Sequence, residues 1–113
     1  MLYKHNMSSE TRDDAVFKAL AHPRRRLLLD ELKHGPRTTG MLCESFADMD
    51  RCTVMLHLKV LEGAGLVVVE RKGRERWNHL DALPIKHIHD RWISEYATHA
   101  LSIIDRLRSD MED

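Results

Sequence analysis

Residues 50–80 read DRCTVMLHLKVLEGAGLVVVERKGRERWNHL, and the order of signals in that stretch leaves few folds open. Asp50 is placed to cap a helix in which Val54, Leu58 and Leu61 recur at steps of three and four. Gly63 and Gly65 stop it. Leu66 to Glu70 is rich in valine and reads as a strand. Lys72-Gly73-Arg74-Glu75 reads as a turn, and Trp77 to Leu80 as the returning strand. A helix, a glycine stop and a basic hairpin describe a recognition helix with a β-hairpin wing beside it.

The preceding residues supply the other helices. Residues 1–10 are polar and unpatterned and read as a loose arm. Thr11-x-x-Asp14 resembles a capping box with Asp in place of Glu, followed by the apolar positions Ala15, Val16, Ala19 and Leu20. His22-Pro23 ends that helix and starts a second one, since proline suits the first helical turn. The second helix carries Leu27, Leu28, Leu29 and Leu32 and stops at Gly35-Pro36. Thr38 or Thr39 caps a third helix with Met41, Leu42, Cys43 and Phe46. The short turn Ala47-Asp48-Met49 leads to the helix capped by Asp50, and two helices joined by so short a turn form a helix-turn-helix.

Composition sets the outer limits. A chain of 113 residues is one domain, and 42% hydrophobic with 32% charged residues is ordinary for a globular protein. Lys+Arg and Asp+Glu balance at 18 each, so a nucleic-acid reading rests on where charge sits and not on its sum. The two cysteines, Cys43 and Cys52, form no CxxC pair and are too few for a disulfide framework. No apolar run is long enough to span a bilayer. The opening MLYKHNMSSE holds no signal-peptide core, and the expected location is cytoplasmic.

After Asp81-Ala82-Leu83-Pro84 one long last helix is expected over 85–111. Ile85, Ile88, Trp92, Tyr96, Ala100, Ile103, Leu107 and Met111 follow one another at steps of three or four. Ile93, Ala97, Leu101 and Ile104 flank them. Two rows make a face wider than one small core needs, and in a monomer it would be a large exposed patch. The expectation is a homodimer built on this helix. The alternative is that the face folds back on its own domain.

Three separated segments carry a family resemblance: ALAHPRRRLLLDEL at Ala19–Leu32, HLKVLEGAGLV at His57–Val67 and RKGRERWNHLD at Arg71–Asp81. In that order and with those gaps they resemble the ArsR/SmtB family of bacterial winged helix-turn-helix regulators, over about residues 12–111. IHDRWISEYA at Ile88–Ala97 resembles a branch without the metal-sensing cysteines. The resemblance implies a mainly α fold of order α-α-α-α-β-β-α, dimeric through the last helix. It also implies a repressor that binds a two-fold operator in double-stranded DNA, and leaves the operator and any releasing effector open.

In such a fold the fourth helix enters the major groove, with Arg51, Cys52, Thr53, Met55 and Leu56 facing it and Lys59 further along. Arg51 is the leading candidate for base readout, because a guanidinium pairs with guanine O6 and N7 together. A phosphate contact or a solvated side chain is the other reading. Thr53 suits a thymine methyl, a phosphate or a plain helix start. His57 reads equally as a backbone contact or a packed histidine. Met55 and Leu56 stand where the family usually has polar residues. They suit thymine methyls, or one of them is buried. Arg71, Lys72, Arg74 and Arg76 crowd the wing, with Arg74 at its tip best placed to reach the DNA backbone or minor groove. Arg24, Arg25 and Arg26, like Thr38 and Thr39, are further phosphate candidates. One of the three arginines is also expected to pair internally with Asp13, Asp14 or Asp30.

Other chemistries are weaker. The family's thiolate site needs a Cys-x-Cys pair, and Ser45 stands where the second cysteine would be after Cys43. In the last helix His87, His89 and His99 lack the spacing and the final carboxylate, where Ser102 stands, of the family's other site. Neither metal nor cofactor is expected. Cys43 reads as a core residue, and Cys52 near a helix start as a conceivable thiol switch. There is no G-x-S-x-G, phosphate loop or H-E-x-x-H, so no enzyme is expected. The competing class is a winged-helix module that binds protein through exposed Met55 and Leu56.

Overall fold

The computed structural model describes residues 8–93 and 95–112. The chain runs α1 (Ser9–Leu20), α2 (Pro23–Leu32), β1 (Arg37–Thr38), α3 (Thr39–Ser45), α4 (Arg51–Gly63), β2 (Val67–Lys72), β3 (Glu75–Leu80), α5 (Leu83–Trp92) and α6 (Glu95–Glu112). This is the expected winged helix-turn-helix with two departures, a short first strand and a divided last helix.

The helix starts follow from side chains that satisfy the unpaired N–H groups of a first turn. Ser8 caps α1, its Oγ accepting from Thr11 N–H at 3.1 Å. The expected capping box at Thr11 is therefore wrong by one turn, and residues 9 and 10 belong to the helix and not to an arm. Pro23 opens α2 behind His22, whose ring nitrogen takes the cap. Thr38 caps α3 and Asp50 caps α4, with the Thr53 N–H donating to the Asp50 carboxylate at 2.7 Å.

The core lies on the inner face of α4. Val54, Leu58 and Leu61 are fully buried and meet Leu28 of α2, Leu42 of α3, and Leu66 and Val67 at the start of the wing. Cys43, expected in the core, is half-buried and packs against the edge of this cluster. Gly65 turns the chain from α4 into β2 at φ 80°, a conformation that a Cβ would strain.

β2 and β3 pair antiparallel from Val67↔Leu80 to Lys72↔Glu75, leaving Gly73 and Arg74 as a two-residue turn. Gly73 has φ 61° and Arg74 has negative φ, the pattern of the type II′ hairpin. β3 also pairs with β1, through Arg37↔Asn78 and Thr38↔Trp77, giving the sheet order β1-β3-β2. Two residues are too few to show any period, so β1 left no sequence signal. Asn78, fully buried, reinforces the junction by donating to the Arg37 carbonyl and to Thr39 Oγ1, both at 3.2 Å.

The last helix is two helices. α5 closes with Ile93 N–H on the His89 carbonyl, and Ile93 itself is extended at φ −126°, ψ 90°. The apolar steps of three and four run through this break because both segments keep the helical period. Periodicity alone cannot see so short an interruption. The local cues are Ile93-Ser94, two residues of lower helix propensity, and the anchoring of the end of α5. Arg91 pairs with Glu10 and with Asp13, and Trp92 packs on Phe17 at 5.9 Å between ring centroids, so α5 is fixed to α1.

Ile88 reaches the core edge, whereas Ile85 and Trp92 are exposed. Leu101, Ile103, Ile104, Leu107 and Met111 are exposed along α6, and so is Ala100. The side chain of Tyr96 lies outside the described residues. No helix among the described residues is long and apolar enough to cross a membrane.

Candidate nucleic-acid interface

The first turns of α4, the start of α3 and the wing enclose a cleft of about 310 Å³. Thr38, Thr39, Gly40, Arg51, Met55, Arg71, Arg74, Glu75 and Arg76 line it. Four of these nine carry a guanidinium and one a carboxylate, so a chain of zero net charge concentrates positive charge here.

The hairpin register sorts the wing residues. Residues directly opposite one another in an antiparallel pair share a face. Val67↔Leu80, Val69↔Asn78 and Arg71↔Arg76 therefore lie on the face turned to the core and α4. Val68↔His79, Glu70↔Trp77 and Lys72↔Glu75 lie on the other. Arg71 and Arg76 thus extend the core face of the hairpin towards the recognition helix, while Lys72 sits on the outer side over the Trp77 ring, paired with Glu70 at 3.7 Å.

The arginines differ in what they are already bound to. The side chains of Arg51, Arg71 and Arg74 have no ion-pair or hydrogen-bond partner among the described residues, and all three residues are exposed. Arg76 is different: its side chain is 14% exposed and holds Glu62 of α4 at 3.0 Å. Expected as a DNA contact, it is engaged here in tying the wing to the end of the recognition helix. Thr38 and Thr39, expected as phosphate contacts, line the cleft but are buried, the Thr38 hydroxyl capping α3 and the Thr39 hydroxyl accepting from Asn78.

On α4 itself Arg51, Cys52, Leu56 and Lys59 are exposed, and Thr53 and Met55 half-buried. Leu56 is 64% exposed, an unusual value for a leucine facing water, whereas Met55 lines the cleft. The capping hydrogen bonds from Thr53 hold the Asp50 carboxyl below its ordinary range, so the cap stays ionised across neutral pH. His57, which the sequence leaves equally open as a backbone contact or a packed histidine, lies against His22 with ring centroids 4.5 Å apart.

The basic cluster opening α2 is held by partners within the chain. Arg24 pairs with Asp48, in the turn between α3 and α4. Arg25 and Arg26 donate to main-chain carbonyls at the end of α1, at 2.6 to 3.0 Å. The expected pairing with Asp13, Asp14 or Asp30 is not the one found, because the last-turn carbonyls of α1 lie closer and carry the negative end of its dipole. Asp13 goes instead to Arg91, a partner too distant in sequence for local spacing to suggest. Asp48, Glu62, Asn78 and Phe17 were likewise missed, each paired with a residue from another element. Among the described residues no three His, Cys, Asp or Glu side chains converge as metal ligands.

Comparison with known proteins follows the same lines. A family profile described as a helix-turn-helix domain matches residues 20–70. The chain is 37% identical over 86 residues to the uncharacterized HTH-type transcriptional regulator YuzN of Bacillus subtilis (strain 168), covering 71% of this chain and 94% of that one. It is 39% identical over 59 residues to the transcriptional repressor SdpR of the same organism, covering 52% of this chain and 64% of the relative. Among solved structures, the crystal structure of an ArsR family transcriptional regulator superposes with a TM-score of 0.67 at 31% identity, over 80% of this chain and 92% of the other. Sequence motifs, fold and relatives agree that this chain belongs to the ArsR family of DNA-binding helix-turn-helix transcriptional regulators.

Proposed function

We propose that the protein is a repressor that reads a two-fold operator as a homodimer, with α4 in the major groove and the wing on the adjacent backbone or minor groove. The observation that carries this reading is the set of three uncommitted arginines, Arg51, Arg71 and Arg74, gathered in one cleft beside the start of α4. Arg51, on the first turn, suits bidentate contact with guanine, and Leu56 offers apolar surface to thymine methyls. Arg74 at the hairpin tip and Arg71 behind it suit phosphates, which position a protein on the duplex without reading sequence. Lys59 extends the positive surface along the helix, and Cys52 and Thr53 complete the face.

The dimer rests on α6, whose apolar side chains Leu101, Ile103, Ile104, Leu107 and Met111 are between 42% and 85% exposed. A second copy packed on the same face would cover them, and a two-fold dimer presents two α4 helices to half-sites one helical turn or a multiple apart.

Fluorescence anisotropy at physiological salt tests the reading, comparing a duplex from upstream of the protein's own gene with a scrambled duplex of equal length. The upstream duplex should bind tighter by a factor on the order of 10³. Sedimentation of the same sample should give twice the chain mass. Equal affinity for the two duplexes counts against an operator in that region, and a monomeric mass against the two-fold arrangement.

A further inference from the structure

His22 and His57 meet in a way that fixes their protons. His22 Nδ1 accepts the Arg24 main-chain N–H at 3.1 Å and so caps α2. His57, midway along α4, turns its Nδ1 to the Arg25 guanidinium at 3.4 Å. A guanidinium has only donors, so His57 Nδ1 is an acceptor there, as His22 Nδ1 is against the N–H. Both rings therefore carry their single proton on Nε2, and their centroids stand 4.5 Å apart. Arg25 is not at liberty to move away, because its Nε donates to the Ala19 carbonyl at 2.7 Å and its second amino group to the Lys18 carbonyl at 3.0 Å.

We infer that His22, His57 and Arg25 form a positioning node that holds the recognition helix on α1 and α2 only while both imidazoles are neutral, so that acidification loosens α4 and weakens operator binding. This rests on the repressor reading above for its consequence, though not for the node itself. A proton on His57 Nδ1 would face the Arg25 guanidinium donor to donor. A proton on His22 Nδ1 would remove the cap of α2. Two positive rings with centroids 4.5 Å apart, tilted 54° to one another, would repel each other and the arginines.

The electrostatics run the same way. Desolvation, then His22, Arg25 and Arg24 in that order, hold the His57 ring below its ordinary value near 6.5. Arg24 is itself paired with Asp48, and α1 reaches the node through the carbonyls that hold Arg25. The other elements packed on α4 carry Glu44 on α3 and Glu70, Arg71 and Lys72 on β2, of which Glu70 is held by His79 and Lys72. For a histidine with a lowered folded value, the unfolded chain takes up the proton first. The stabilisation is complete above about pH 6.5 and is lost as pH falls from there towards the lowered folded value. Added positive charge in general strengthens binding to phosphates, so the node predicts the opposite sign to that trend.

The test has two readouts. In the protein without DNA, the His57 ring signals should titrate below the ordinary histidine value, and α4 main-chain amides should shift in the same titration. On the upstream duplex, wild-type affinity should fall about tenfold or more between about pH 7.5 and about pH 5.5. His57→Asn, which keeps an acceptor near Nδ1 but cannot take up a proton, should hold its affinity within about twofold over that range. His22→Asn, which retains a good helix cap, should reduce the loss and serves if the first variant folds poorly. Affinity that rises in acid, or falls equally in both variants, overturns the inference. If no duplex is bound at neutral pH, the repressor reading fails and the ring titration alone decides the node. A His57 ring that titrates at its ordinary value with α4 unmoved would then refute it.

Discussion

Arg51→Ala is expected to weaken binding to the operator by about 1–3 kcal/mol, roughly 5-fold to 150-fold, while leaving binding to a scrambled duplex nearly unchanged. Arg74→Ala is expected to behave differently. It should weaken both duplexes alike and flatten the dependence of log affinity on log salt by about one unit, because a phosphate contact releases a counterion whatever the sequence. The contrast follows from position: both side chains are uncommitted, but Arg51 sits on the first turn of α4 and Arg74 at the hairpin tip. Arg76→Ala should leave the salt slope almost unaltered, since its charge is already held by Glu62. Anisotropy titrations at several salt concentrations separate the three. Equal effects of Arg51→Ala on both duplexes would demote Arg51 to a phosphate contact.

Leu58→Ala is expected to lower the unfolding free energy by about 2–5 kcal/mol, a large part of the roughly 5–15 kcal/mol that holds a domain together. Leu58 is fully buried at the centre of the core, where truncation leaves a cavity walled by other elements. Leu56→Ala, two residues away on the same helix, should change stability by no more than about 0.5 kcal/mol, because that side chain is 64% exposed. Denaturant unfolding of the two variants reads the orientation of α4 directly. A large loss in Leu56→Ala would mean that the helix presents a different face to the core.

Much of this was legible in the chain. Asp50, the stripe of Val54, Leu58 and Leu61, and the glycines after it are local signals, each acting within a few residues, and they placed α4 and the wing correctly. The arginine cleft was legible in outline for a similar reason: Arg51 and Arg71–Arg76 lie on elements whose order in space follows their order in sequence. What sequence could not show were partnerships between distant elements. Arg76 looked like its neighbours until Glu62 was found beside it. Thr39 read as a helix cap or a phosphate contact, with nothing nearby in sequence to show that Asn78 donates to its hydroxyl. His57 was evenly balanced between two roles until His22 and Arg25 decided its surroundings. The break after Trp92 was hidden because a face that repeats every three or four residues keeps its rhythm across an interruption.

The most direct test of the central claim is selection from a pool of random duplexes with the purified full-length protein at physiological salt. The account predicts enrichment of one sequence made of two inverted half-sites, centred about one helical turn or a multiple apart, and loss of that enrichment in the Arg51→Ala protein. A pool that emerges without a shared sequence would contradict it, since the cleft between α4 and the wing would then hold duplexes by charge alone.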